Sequence, residues 1–435
     1  MKNQNDLVIA MISEHNDPLA PLGGQQTGGQ CVYVYELSKA LSRLGIKVDV
    51  FSRWESRKAD QQIRFAKRAK VIRLKAGPRQ FVSKDKFGPL MPEFVEHFLE
   101  YMRMSRTKYD IIHSNYYYSG WAGLQLKNIL KIPAVITFHS LGLIKKQALG
   151  VKDTSPDERI KIEKKVVDEF DKIIATSPQE KEDLINLYRA ERKKITVIPP
   201  GVNLRRFTPL NKEKTRKRLN IPSNKKIIVF AGKMERRKGG ATLIAAAKEI
   251  KNKWPEFYKD LEVLMFSGDP RKTRTREEKE AKDRHSLKDF IIETGVQDKV
   301  KLMPGVEQDI LHQYYGAADV VVMPSYYEPF GMVAIEAMAT GTPVIASSVG
   351  GLKWSIKEGI TGLHAEVKDH KGFAEKIVKV LTNSKLRDYL GKNGIIRARK
   401  NFSWNRIARK MSNIYQGVIE KHNGLEDFII KNDLK

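Results

Sequence analysis

The chain has 435 residues, 41% hydrophobic and 30% charged, with one cysteine and a formal net charge of +28. Such a length is expected to form two domains with full cores, and a lone Cys31 excludes an internal disulfide or a multi-cysteine metal site. The longest apolar run near the start, residues 7–12, is too short to span a bilayer, and no basic-then-apolar leader stands before it; a cytosolic protein is expected.

Strand-like runs of the first half fall at residues 7–12, 47–51, 110–113, 134–138, 173–176 and 195–198. Val34, Leu37, Leu41 and Leu44 step by three and four, which predicts an amphipathic helix after the first strand. Second-half strands are expected at 226–231, 261–266, 300–303, 319–323 and 343–346. This alternation predicts two α/β, Rossmann-like, doubly wound domains with helices on both sheet faces. Pro199-Pro200-Gly201 suits a seam, giving domains 1–200 and 201–411. A helical pattern over 402–421 predicts a long last helix. Open parallel sheets bind ligands at strand carboxyl ends, so a cleft is expected between the two domains.

The positive charge is spread along the whole chain with acids interleaved, as in RKTRTREEKEAKDR at 271–284, and no nucleic-acid motif accompanies it. It reads mainly as solvated surface. No nucleic-acid partner is expected, and weak contact with an anionic membrane surface stays open. The oligomeric state is not encoded visibly.

Three segments carry candidate chemistry. In PLGGQQTGGQ (21–30), Gly28 and Gly29 precede a helix that opens with Gln30, so a phosphate or sugar can approach the backbone; an ordinary turn is the alternative. The loop lacks the G-x-G-x-x-G order of dinucleotide oxidoreductases. In FAGKMERRKGG, Lys233 and Lys238 follow a strand end, where cations neutralise a leaving group as its charge develops; for Lys238 plain surface charge is the alternative. In PSYYEPFGMVAIEAMATGTPVIASSVGG (324–351), Pro329 and Gly331 open a short helix that Gly341 and Pro343 close. The amides of Phe330, Gly331 and Met332 make an anion site, flanked by Glu328 in the loop and Glu336 off the apolar stripe. Two carboxylates about a phosphate site suit a nucleotide sugar; a loop cap and a solvated helix residue are the alternatives.

E-P-F-G-M-V-x-x-E-A-M-A-x-G-x-P-V-I-A resembles the signature of retaining glycosyltransferases of family 4, which have the GT-B fold. T-G-G-Q before V-Y-V-x-E-L-x-x-A-L (27–41) resembles the subgroup that includes sucrose synthase, sucrose-phosphate synthase, mannosylfructose-phosphate synthase and the inositol-phosphate glycosyltransferases. HSNYYYSG (113–120) is similar to their H-S-H-Y-x-x-S-G, with Asn115 in place of the second histidine, and Asn203 and Phe207 resemble the family's interdomain segment.

The resemblance implies a hexosyltransferase using a nucleotide diphosphate sugar, UDP-glucose first among donors, and a phosphorylated sugar or polyol acceptor. It also implies that the final helix, about 412–435, returns to complete the first domain. It implies that Glu336 binds the ribose diol, Glu328 the sugar hydroxyls, and His139 of TFHSLG the sugar beside the reaction centre. Lys233 stands where the family usually has arginine, keeping charge but losing the planar fork. Lys86, Tyr116, Ser140, Lys145 and Arg159 are the candidate acceptor-phosphate cluster, with Lys84 equally near Lys86's place. No D-x-D triplet occurs, so neither a metal nor another cofactor is expected. A lipid-linked or polysaccharide glycan acceptor is the alternative within the class, and a non-catalytic nucleic-acid-binding protein the alternative outside it.

Overall fold

Val- and Ile-rich runs buried on both faces make the centre of each sheet, as parallel sheets covered by helices require. The computed structural model describes residues 6–20, 28–150, 157–267 and 278–433. Residues 21–27 of the glycine-rich loop and 271–277 of the mixed-charge stretch lie outside the described residues. Described residues 6–20, 28–150, 157–199 and 404–433 form one compact unit and 200–267 with 278–403 a second.

The first unit holds β1 (Val8–Ile12), β2 (Lys47–Arg53), β3 (Gln62–Ala66), β4 (Ala69–Leu74), β5 (Ile111–Asn115), β6 (Ala134–Thr137), β7 (Lys172–Ala175) and β8 (Ile195–Val197). Their order is β3-β4-β2-β1-β5-β6-β7-β8, parallel except for the antiparallel β3–β4 pair. The order reverses at β1, so the switch point lies between the carboxyl ends of β1 and β5. The second unit holds β9 (Lys226–Ala231), β10 (Leu261–Ser267), β11 (Val300–Pro304), β12 (Val320–Met323), β13 (Val344–Ser347) and β14 (Gly362–Ala365). They are ordered β11-β10-β9-β12-β13-β14, with the switch point between β9 and β12.

The predicted first helix is Gly29–Arg43, with Val34, Leu37 and Leu41 fully buried. The last helix, Trp404–Asp433, begins in the first unit at Trp404, where the sequence suggested a return near 412. It is tied to β5 by the Tyr415 hydroxyl, 2.7 Å from His113 Nδ1, while His113 Nε2 lies 2.9 Å from Thr137 Oγ1. Burial pushes His113 down to about 3, so this histidine is a neutral core group.

Strands β3, β4 and β14 were not legible in the sequence. β3 is half exposed and alternates polar residues, β4 is interrupted by Lys70 and Arg73, and β14, Gly-Leu-His-Ala, has neither a β-branched nor an aromatic-apolar run to mark it. Among the described residues no helix is long and apolar enough to cross a membrane.

Candidate functional site

Each unit gathers polar residues at the carboxyl edge of its own switch point. In the second unit, the chain leaves β9 through Gly232 to Lys233 and Lys238, and leaves β12 towards Glu328. The backbone amide of Tyr326 donates to the Arg237 carbonyl at 2.7 Å, joining the two loops. Lys238 Nζ then meets Glu328 Oε2 at 2.5 Å, both side chains being largely withdrawn from solvent.

Gly239 makes this approach possible. Its φ is +72°, and a Cβ there would lie 1.8 Å from the carbonyl oxygen of Pro324. Glu235 adds to the local charge. Burial raises its carboxyl, but Arg237 (Nε–Oε2 2.6 Å), Lys233 and Lys238 outweigh that and hold it at about 2.

The predicted short helix is Met332–Thr340, preceded by Gly331 at φ +92° and closed by Gly341 at φ +83°. A Cβ on Gly331 would lie 2.4 Å from Leu352 Cδ2, so the loop from Glu328 enters the helix over a tightly packed floor. The Phe330 ring belongs to that floor, edge-on to Phe402 at 5.8 Å.

Glu336 is 6% exposed, and burial pushes its carboxyl up to about 8, with Arg206 and Tyr315 opposing. Tyr315 beside it has a hydroxyl without a hydrogen bond of normal geometry, and burial followed by Glu336 drives its pKa well up. A buried carboxyl against a tyrosine hydroxyl that lacks a well-formed hydrogen bond is the pattern of a site that a polar ligand completes. The solvated-residue alternative for Glu336 is thereby excluded.

In the first unit, the loops after β1, β5 and β6 meet. Two residues there have left-handed backbone although neither is glycine: Tyr116 (φ 88°) after β5 and His139 (φ 59°) after β6. Such conformations cost about 1–3 kcal/mol each and persist where surroundings over-determine them.

Tyr116 is held by its amide, which donates to the Thr137 carbonyl at 2.9 Å, and by Arg159 Nη1 at 3.3 Å from its hydroxyl. Arg159 is fully buried, with Nε 2.7 Å from Glu163 Oε1 and Nη2 2.8 Å from the Ser140 carbonyl and 3.0 Å from its Oγ. Burial pushes Tyr116 up to about 12 despite the cationic Arg159 and Lys145 nearby.

Thus Tyr116, Ser140, Lys145 and Arg159 of the predicted acceptor cluster come together. Lys86 does not join them in the same way: it is exposed, whereas Lys84 Nζ lies 5.6 Å from the Tyr116 ring centroid. The turn Lys84–Lys86 is 3₁₀, and of its two lysines Lys84 is the one set over Tyr116. Arg159 itself is so fully bonded to protein that it aligns Tyr116 and Ser140 more than it offers a free fork.

Gly28 and Gly29 stand at the start of the first helix, but the Gln30 side chain turns inward, its Nε2 donating to Ser13 Oγ at 3.2 Å and to the Asn115 carbonyl at 3.1 Å. His139 Nε2 lies 2.9 Å from Asn115 Oδ1 and its ring is edge-on to Tyr33 at 4.8 Å. Burial holds it near 3 and hence neutral.

The sequence reading missed Glu14, His15 and Asn16. His15 Nδ1 lies 2.7 Å from Glu14 Oε1 and Nε2 2.6 Å from Asn16 Nδ2, and the ring packs 4.6 Å from that of Tyr116. Glu14 also accepts from the Ser119 hydroxyl. The available signal was a polar run, SEHN, starting directly after a buried strand and therefore at its carboxyl end.

Known proteins resemble this chain in sequence and fold. The family profile described as Glycosyltransferase Family 4 matches residues 27–206, and that described as Glycosyl transferases group 1 matches 211–397. A D-inositol 3-phosphate glycosyltransferase from Corynebacterium efficiens is 33% identical over 94% of this chain and 94% of its own. One from Streptosporangium roseum is 32% identical, covering 94% of this chain and 93% of its own length. The solved sucrose-phosphate synthase from Thermosynechococcus elongatus is similar over 95% of this chain and 100% of its own, with 35% identity and a TM-score of 0.86.

Proposed function

The chain belongs to the family 4 glycosyltransferases of GT-B fold, and we propose that it moves a hexosyl group from a nucleotide diphosphate sugar to a phosphorylated sugar or polyol, with retention at the anomeric carbon. The observation that carries the acceptor class is the meeting of Lys84, Tyr116, Ser140, Lys145 and Arg159 at the carboxyl ends of β5 and β6. Two lysines beside hydroxyls prepared by a buried arginine suit a phosphate dianion through charge-assisted hydrogen bonds. The relatives named for inositol 3-phosphate and sucrose-phosphate chemistry support the same class.

On the donor side, Glu336 takes the ribose diol and the Phe330–Met332 amides take the diphosphate. Lys238 leaves Glu328 for the diphosphate, with Lys233 adding charge, and the freed Glu328 carboxylate orients the sugar hydroxyls. Gly28 and Gly29 let a phosphate or sugar approach the backbone at the start of their helix. His139 contacts the transferred sugar.

The acceptor oxygen forms the new bond to the anomeric carbon on the face from which the diphosphate departs. The bond to the diphosphate oxygen breaks with its electron pair, and the acceptor hydroxyl proton passes to that oxygen. The lysines and the helix start supply the charge that a metal supplies elsewhere, so the reaction is read as metal-independent. A cytoplasmic place of work is part of this reading, supported by the single cysteine.

Purified protein incubated with UDP-, ADP- or GDP-glucose and either fructose 6-phosphate or inositol 3-phosphate is expected to release nucleoside diphosphate and glycosylated acceptor, with EDTA present. Release with unphosphorylated fructose or inositol as fast as with the phosphates would refute the acceptor class. No turnover of any nucleotide sugar would refute the whole reading.

A further inference from the structure

We infer that Asn115 is a positioning residue that fixes the tautomer of His139, leaving Nδ1 of that imidazole as a hydrogen-bond acceptor. Asn115 ends β5 and His139 lies two residues beyond β6, its neighbour in the sheet. The Asn115 amide nitrogen is turned inward, donating to the Ile12 carbonyl at 3.2 Å and towards the His113 carbonyl at 3.4 Å. Its Oδ1 is therefore the atom presented to His139, and an amide oxygen only accepts. His139 Nε2, 2.9 Å away, has to carry the ring proton.

The ring has little freedom to escape this assignment. Tyr33 abuts it edge-on at 4.8 Å, and the backbone at φ 59° fixes where the side chain leaves the loop. Burial, with His113 and His15 nearby, holds the imidazole down to about 3, so a second proton does not reach Nδ1 near neutrality. Among the described residues Nδ1 makes no hydrogen bond.

A neutral ring with its proton committed to Asn115 offers a lone pair. It accepts from a hydroxyl and does not donate to a phosphate. Naming that hydroxyl as one on the transferred sugar rests on the proposed function; the tautomer does not. In the family pattern a second histidine stands at this position, and a histidine is both donor and acceptor, so it leaves the choice of tautomer open where asparagine closes it.

The test is nuclear magnetic resonance of the full chain labelled with nitrogen-15 in histidine. His139 is expected to show a protonated Nε2 and an unprotonated Nδ1, unchanged between pH 8 and about pH 5. Asn115→Asp keeps the shape and places a carboxylate on Nε2, and is expected to raise the His139 pKa by about 2 units or more. Transfer by that variant, taken relative to the parent at each pH, then falls about tenfold on acidification through the new pKa. Asn115→Leu is expected to give a mixed or inverted tautomer.

A parent His139 protonated on Nδ1 would overturn the inference, as would a leucine variant that folds with the parent's tautomer. The aspartate variant and the parent spectrum decide the matter if the leucine variant does not fold. Because the spectra need no turnover, absence of transferase activity would refute the proposed function and leave this inference standing.

Discussion

Lys238 Nζ lies 2.5 Å from Glu328 Oε2, so the cation proposed for the leaving group and the carboxylate proposed for the sugar neutralise each other in the unliganded protein. Each is poorly solvated, with side-chain exposures of 18% and 10%. Lys238→Ala strands Glu328. Loss of about 1–3 kcal/mol in urea unfolding is expected, together with a fall in kcat of about a hundredfold or more. Lys238→Ala/Glu328→Gln recovers much of the stability and none of the rate, which separates the two roles.

Arg159 and Glu163 form a buried pair that also anchors Tyr116 and Ser140. Removing one partner of such a pair typically costs about 3–5 kcal/mol. Arg159→Ala is expected to lose stability in that range and to raise the KM for a phosphorylated acceptor at least tenfold. Donor hydrolysis without acceptor should change far less. Lys84→Ala is expected to raise acceptor KM without the stability loss, and Lys86→Ala to do neither, which tests the exchange of these two lysines.

Burial holds Glu336 near 8, against 4.5 for an ordinary carboxyl. A carboxyl whose folded pKa is raised binds its proton more tightly when folded. Its contribution to stability is therefore present at low pH and is lost as pH rises from about 4.5 towards 8, by up to about 1.4 kcal/mol per unit. Glu180, also raised by burial, to about 7, works in the same direction, so the difference between parent and Glu336→Gln isolates Glu336. That variant should have a flatter unfolding curve against pH and be relatively more stable at pH 8. Calorimetry with UDP should show parent affinity strengthening from pH 6 to 9, as the ionised carboxylate accepts the ribose hydroxyls, and no such trend in the variant.

Gly239→Ala places a methyl group 1.8 Å from the Pro324 carbonyl oxygen in a left-handed backbone. The loops carrying Lys238 and Glu328 must separate. A loss of about 2 kcal/mol or more in thermal or urea unfolding is expected, with weakened nucleoside diphosphate binding, while Gly28→Ala, whose Cβ meets nothing within 4 Å among the described residues, leaves stability unchanged.

Local physics made much of this molecule legible. The bounds of the Met332–Thr340 helix follow from two glycines that must take positive φ, and the segment signature around it identified the family before any coordinate did. Buried apolar runs marked most strands of both sheets, because a strand covered by helices is apolar on both faces. Edge strands β3 and β14 lack that property and escaped notice.

Contacts between residues far apart in the chain belong to tertiary structure alone. Sequence placed Lys84 and Lys86 on equal terms, and only the docking of their 3₁₀ turn above β5 set Lys84 over Tyr116. Sequence marked Asn115 as a departure from a pattern, and only the carbonyls of Ile12 and His113 turned its oxygen towards His139. Residue types and spacing thus determined which chemistry the chain carries. Which atom of each group faces which partner was decided by packing, since orientation depends on neighbours a hundred residues away.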